Sequence, residues 1–195
     1  MRPNPLAGGT MPRELSVGGA AVPIDSGWRA GVRIMRALGS AEEDAARAEA
    51  ALAIAFGSPL PPAVAEDRAG ALNALVAWID FNEPAPPPTA RQRRLAARRA
   101  WDWDYDAEAA VADFQRFYGI DLTDPSTDMH WWRFWALFRG LPPESASMEL
   151  MGVRSADEED YKGEALRGLR ERKRRAVLPA RTEEEALRNM DLLNG

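Results

Sequence analysis

The stretch MHWWRFWALFRGL, residues 129–141, decides how the rest of the chain is read. Trp131, Phe134, Trp135 and Phe138 recur at i, i+3, i+4 and i+7, the spacing that lines side chains along one helical stripe. Trp132 and Leu137 fall off that stripe, so the helix is apolar on more than one side. A helix of this kind is either central in a core or carries an exposed patch for a partner. Tryptophan's enrichment in interface hot spots keeps the second reading open, with core packing the preferred one. Pro142-Pro143 end the helix, because proline cannot continue it.

Helical signals continue on both sides. Downstream, a short helix is expected near residues 148–151. A charged helix follows, opened by a Ser155/Glu158 capping box and running to the region before Pro179. Thr182 with Glu185 caps a last helix carrying Ala186, Leu187, Met190 and Leu193. Upstream, Asp106 opens a helix with Ala107, Ala110, Val111, Phe114 and Phe117 or Tyr118 on one stripe. Gly119 ends it in the left-handed conformation, with Ile120 folding back onto Phe114. Residues 121–127 read as a polar turn around Pro125. Before that, Thr89 with Gln92 opens a basic helix, and Pro84, Pro86, Pro87 and Pro88 form a stiff connector. The connector either divides two domains or packs as a loop on one; typical domain size favours the loop.

Nearer the start, Leu72, Leu75, Val76 and Ile79 give a single helical face. An alanine-rich helix is expected from a Ser40/Glu43 capping box to Phe56, stopping at Gly57. Asp25 or Ser26 caps a first helix whose inward face is Trp28, Val32, Met35 and Ile34 or Leu38. Leu15 and Val17, then Gly18-Gly19, then Val22 and Ile24 predict a small hairpin. The expected fold is therefore mainly α, a multi-helix bundle with an N-terminal β-hairpin and a flexible N-terminus. The expected organisation is a disordered segment 1–13, a helical domain 14–179 with its connector at 84–88, and a C-terminal helix within 180–195.

Bulk properties narrow the function. The length of 195 residues suits one domain, or one with an appended arm. A 46% hydrophobic and 28% charged composition excludes a disordered chain. The net charge of −5, from 25 basic and 30 acidic side chains, argues against general attraction to nucleic acid or anionic lipid. With no cysteine, disulfides and thiolate metal sites are impossible, which fits a reducing cytoplasm. No apolar run approaches the ~20 residues that span a bilayer, and residues 1–10 have no signal-peptide core; Met11 is an alternative start.

Candidate chemistry is sparse. His130 is the single histidine and has none of the partners a triad or metal site requires, so it reads as a helix-start or core residue. Asp102-Trp103-Asp104-Tyr105-Asp106 gathers three carboxylates, but without the glycine turn and terminal glutamate of a calcium loop. Asp104 and Asp106 instead sit where a helix N-terminus favours negative charge. No phosphate-cradling glycine loop or nucleophile elbow is present. Two basic clusters could track phosphates: Arg91, Arg93, Arg94, Arg98 and Arg99, and Arg167, Arg170, Arg172, Lys173, Arg174 and Arg175. The second is preceded by Asp157, Glu158, Glu159 and Asp160, an acid-then-base order that the helix dipole prefers and that suits a solvated face. The expectation is a protein that binds other proteins, with no catalysis, no cofactor, no metal and no membrane; a nucleic-acid-binding regulator using the Arg91–Arg99 helix is the less favoured alternative.

Several motifs together resemble one family. They are Tyr118-Gly119-Ile120-Asp121-Leu122, His130-Trp131-Trp132-Arg133-Phe134, Leu137 and Arg139-Gly140-Leu141. The Asp102-Trp103 and Asp106-Ala107 helix start, Met151-Gly152-Val153-Arg154 and Ala176-Val177-Leu178-Pro179 extend the match, as do the hairpin and the Ile24-Asp25 … Trp28-Arg29 entry. Over residues 15–179 the chain is similar to the small "gene product fifteen" proteins of the tail-morphogenesis region of long-tailed bacteriophages. That resemblance implies a tail-assembly chaperone that coats the helical tape-measure protein, with self-association or a frameshift-related chaperone as further partners. It implies action in the host bacterial cytoplasm and absence from the mature virion; the alternative is a structural tail or head-completion component. No catalytic residues are carried over. The partner-binding candidates are Trp131, Trp132, Phe134, Trp135, Phe138, Met148 and Met151, since methionine suits surfaces that adapt to varied partners.

Overall fold

The structure, a computed structural model, describes residues 9–81, 87–91, 93 and 98–194. Among them are nine α-helices and one two-stranded antiparallel sheet, a mainly helical fold with the expected hairpin. Pro84, Pro86, Gln92 and Arg94 lie outside the described residues, as do residues 1–8. The chain divides into two compact units, each made of two separate stretches. Unit 1 is residues 1–84 with 124–140; unit 2 is residues 85–123 with 141–195.

Unit 1 opens with β1 (Glu14–Val17) and β2 (Ala20–Pro23), with Leu15 opposite Val22 and Val17 opposite Ala20. Gly18 and Gly19 have φ of +57° and +83°, the paired left-handed residues of a type I′ turn. Period-two spacing turns Leu15, Val17 and Val22 inward. Helices α1 (Trp28–Leu38), α2 (Asp44–Phe56), α3 (Pro62–Glu66), α4 (Arg68–Ile79) and α6 (Trp131–Arg139) complete the unit; α5 (Ala107–Tyr118) belongs to unit 2. Helix α1 packs on α2 and α6, and α4 packs on α2, α3 and β1.

Four local expectations in unit 1 are corrected. The α1 cap is Gly27 without a side-chain bond, because Asp25 turns to accept the Gly27 N–H instead. The buried face of α1 is Trp28, Ala30, Gly31 and Ile34, while Val32 and Met35 are only half-buried. Gly31 lies inside because α6 presses on it: a Cβ there would sit 2.1 Å from Trp131 Cε3. The Ser40/Glu43 box does not form, since α2 begins at Asp44 with no side-chain cap. On α4 the inward face is Ala71, Leu75, Trp78 and Ile79, leaving Val76 41% exposed. Trp78 outcompetes Val76 for the interior because its larger apolar surface gains more from burial. Asp67 caps α4, accepting the Gly70 N–H at 2.9 Å.

Unit 2 holds α5, α7 (Ala146–Ser155), a 3₁₀ turn (Glu158–Asp160), α8 (Gly163–Arg175) and α9 (Glu183–Asn194). Gly119 closes α5 at φ +65°, with Gly119 N–H donating to Gln115 O and Ile120 N–H to Phe114 O, the expected left-handed closure. Helix α7 is longer than its methionines suggested, and it consumes Ser155 at its C-terminus. The expected Ser155/Glu158 box is therefore absent: Asp157 caps the 3₁₀ turn, and α8 starts separately at Gly163. Thr182 caps α9 as expected, its Oγ1 accepting the Glu185 N–H at 3.2 Å.

The two units hold together differently. Unit 1 is filled by Trp78, Trp131, Phe134, Phe138, Ile34, Leu52 and Leu75, all under 2% exposed. Eight of the nine buried polar or charged side chains among the described residues lie in unit 2, Ser26 being the exception.

Candidate partner-binding surfaces

The aromatic helix α6 is fixed at its N-terminal end. His130 is its cap: Nδ1 accepts the Trp132 N–H at 3.0 Å, which leaves the proton on Nε2 to donate to Pro12 O at 2.9 Å. Burial holds the His130 imidazole below its ordinary pKa, partly opposed by the bond to Pro12. Just before it, Trp28 N–H donates to Met129 O and Trp131 N–H to Ser26 O, an isolated bridge. Arg29 reaches the carbonyls of Thr127 and Asp124, both at 2.7 Å.

The indoles finish the docking. Trp131 Nε1 donates to Ile79 O at 3.1 Å and Trp132 Nε1 to Trp78 O at 2.8 Å, carbonyls at the end of α4, the second of which also accepts the Phe81 N–H. Trp131 stacks with Phe134 and Trp135, and Phe134 with Phe138 and Trp28. Of the seven partner-binding candidates, Trp131, Trp132, Phe134 and Phe138 are thus interior to unit 1, and Trp135 is partly exposed. Met148 and Met151 are partly exposed on α7 of unit 2. The structure does not bring the aromatic and methionine groups together within one unit.

Residues 102–106 form a salt-bridged knot. Asp106 is the N-cap residue of α5, as expected, but its carboxylate makes no capping hydrogen bond; it takes Arg154 through two bonds, 2.6 and 3.0 Å, with both side chains buried. A bidentate guanidinium offers the stronger partner. Arg154 also donates to Ala176 O at 2.6 Å. Asp102 accepts the Asp104 and Tyr105 N–H groups and pairs with Arg99 and Arg181. Burial pushes the Asp102 carboxyl up, yet these donors and charges outweigh it and hold it below the usual range. Among the described residues, no group of three or more His, Cys, Asp or Glu is arranged to hold a metal ion. Asp113, buried on α5, accepts the Ala146 and Ser147 N–H groups and so ties α5 to the start of α7.

Two open apolar surfaces lie in unit 2. A groove between α7 and α8 is lined by Leu141, Pro143, Met148, Val153, Tyr161 and Leu169. On α9, Leu187, Met190 and Leu193 are 58%, 58% and 54% exposed, three of the five large exposed hydrophobics among the described residues. The opposite face of α9 is mostly polar: Asn189 donates to Leu178 O at 2.9 Å, and Glu185 pairs with Arg99. This helix is amphipathic with its apolar stripe outward.

A family model described as Bacteriophage Gp15 protein matches residues 69–178, more than half of the chain. The chain belongs to that family. Neither a curated protein nor a solved structure gives a significant match. In this Gp15 protein the matched stretch runs from α4 through α8, and includes the aromatic helix and the Asp106–Arg154 pair. The hairpin, α1–α3 and α9 lie outside it.

The basic clusters of the Gp15 protein are partly engaged internally. Arg91 pairs with Asp157 and Asp160, Arg170 and Lys173 with Glu158, and Arg175 with Glu171. Sequence reasoning missed the partners of Asp106 and Arg154, which stand 48 positions apart. The one available signal was a charged residue inside the apolar pattern of α7.

Proposed function

We propose that this Gp15 protein is a tail-assembly chaperone that binds the tape-measure protein in the host cytoplasm and keeps it soluble until the tail tube forms around it. The observation that carries the reading is the outward apolar stripe of Leu187, Met190 and Leu193 on α9. Exposed apolar residues at helical spacing suit an amphipathic helix, the chemistry of a long helical partner. The groove beside Met148 offers a second apolar face of the same character. Family membership supports a role in phage assembly. In this reading the protein has no catalytic role and needs no cofactor, and self-association or a frameshift-related chaperone supplies the further copies that coat one chain.

Co-expression with the tape-measure protein of the same phage tests it. The chaperone reading expects that protein to be recovered soluble and to co-purify, and Leu187→Ser with Met190→Ser to reduce recovery. An insoluble, unbound partner overturns it. Mass spectrometry of purified particles separates the second reading, a structural tail component, because a chaperone is absent from finished virions.

A further inference from the structure

We infer that the cavity between α8 and α9 in unit 2 is a receptor for a carboxylate side chain presented by an acidic, aliphatic protein segment. The cavity encloses about 420 Å³. Its charged lining is six cations, Arg98, Arg99, Arg154, Arg170, Lys173 and Arg188, against three acids, Glu158, Glu185 and Asp191. Val177, Leu178 and Leu192 supply an apolar wall.

The cations are unequally neutralised. Arg154 is committed to buried Asp106, and Arg99 to Asp102 and Glu185. Arg170 and Lys173 share the single carboxylate of Glu158, at 2.9 and 3.3 Å. Arg98 pairs with no carboxylate among the described residues; it reaches only the Ala156 carbonyl at 3.4 Å, which Lys173 already occupies at 2.8 Å. Arg99 Nε is buried at the same lining without a hydrogen-bond partner. Arg98 thus adds its charge beside Lys173, which shares Glu158 with Arg170 and also senses Asp157; burial with the charge of Arg98 holds the Lys173 ammonium below its ordinary pKa.

A further carboxylate relieves that imbalance. In a partly enclosed, partly apolar cavity an ion pair is screened less than on open surface, and a guanidinium–carboxylate bond is about twice as strong as a neutral one. The apolar wall adds a preference for a glutamate flanked by leucine or valine over a bare anion. This assignment stands without the tape-measure reading, since it names only the chemistry of the occupant.

The probes are a fluorescent helix-forming peptide with glutamate and leucine on one face, and its glutamine counterpart, titrated against the full chain. The expected result is at least about tenfold tighter binding of the glutamate peptide at low salt, weakening as salt rises. Arg98→Gln, which removes no ion pair seen in the structure, should abolish most of that preference while the thermal unfolding midpoint holds. Leu192→Ala should weaken both peptides. Equal binding of the two peptides, no binding, or a preference unchanged in Arg98→Gln overturns the assignment. So does displacement by single-stranded DNA at lower concentration than the peptide, which would make the cavity a phosphate site.

Discussion

Unit 1 and unit 2 are of similar helical content but solve the problem of cohesion in opposite ways. Unit 1 buries stacked aromatic rings, and its polar groups are used to orient them, as when the indoles of Trp131 and Trp132 end on carbonyls of α4. Unit 2 buries carboxylates and their cations, with Asp102, Asp106, Asp113, Arg154 and Lys173 all nearly inaccessible. Apolar packing is non-directional and tolerates small losses, whereas a buried ion pair is directional and depends on both partners. The difference teaches that one chain can place its adaptable surfaces on the unit whose interior is specified by charge.

The sharpest way to break the comparison is to remove one interior partner from each unit and follow urea unfolding. Trp131→Ala should cost about 3–5 kcal/mol through lost burial and the cavity left behind. Arg154→Met should cost a similar amount, about 3–5 kcal/mol, because it strands Asp106 as an uncompensated buried charge. The cases part on rescue: Asp106→Leu added to Arg154→Met should recover most of the loss. If the double variant is as unstable as the single one, the ionic account of unit 2 fails.

A smaller effect is expected at Gly31. Alanine there forces a methyl against the Trp131 ring, an overpacking that should cost about 1–3 kcal/mol and shift the tryptophan fluorescence. An unchanged midpoint would show that α1 and α6 can part easily.

Acid should affect the units in sequence. The folded His130 titrates below its ordinary value, so the unfolded chain takes up that proton first and stability rises with pH. The contribution is complete above about pH 6.5 and is lost as pH falls through the lower folded value. Asp102 and Glu158, also held below their ordinary range, contribute stability that is present above it and disappears only in stronger acid. His130→Asn keeps a capping acceptor and removes the titration, so it should flatten the stability curve between about pH 5 and 7. A slope that persists in that variant would assign it to other groups. The smallest stability effect is expected at Leu187→Ser, within about 0.5 kcal/mol, even where partner recovery is lost.

Parts of this architecture were legible in the sequence for identifiable reasons. Gly18-Gly19, Gly119 and Thr182 each specify geometry within a few residues, and each behaves as read. The Ser40/Glu43 and Ser155/Glu158 pairs carry the same local signature, yet neither forms, because where a helix starts also depends on what its first turn packs against. The helical stripe of 131–138 is visible in its spacing, but spacing alone does not distinguish a stripe facing a core from one facing a partner. The Arg154–Asp106 bond joins residues far apart in sequence, and no periodicity encodes a long-range ionic contact. The candidate surface was half legible: α9 reads as amphipathic, but the direction of its apolar face is a tertiary fact.

The chain passes between its units three times, at 84/85, 123/124 and 140/141. During synthesis this imposes a schedule. The hairpin and α1–α4 leave the ribosome without the helix that fills their centre, and about forty residues of the other unit must be made before Trp131 emerges. Unit 1 therefore cannot complete its interior as a nascent fragment, and shortening the gene at residue 84 yields a half-built core rather than a smaller protein.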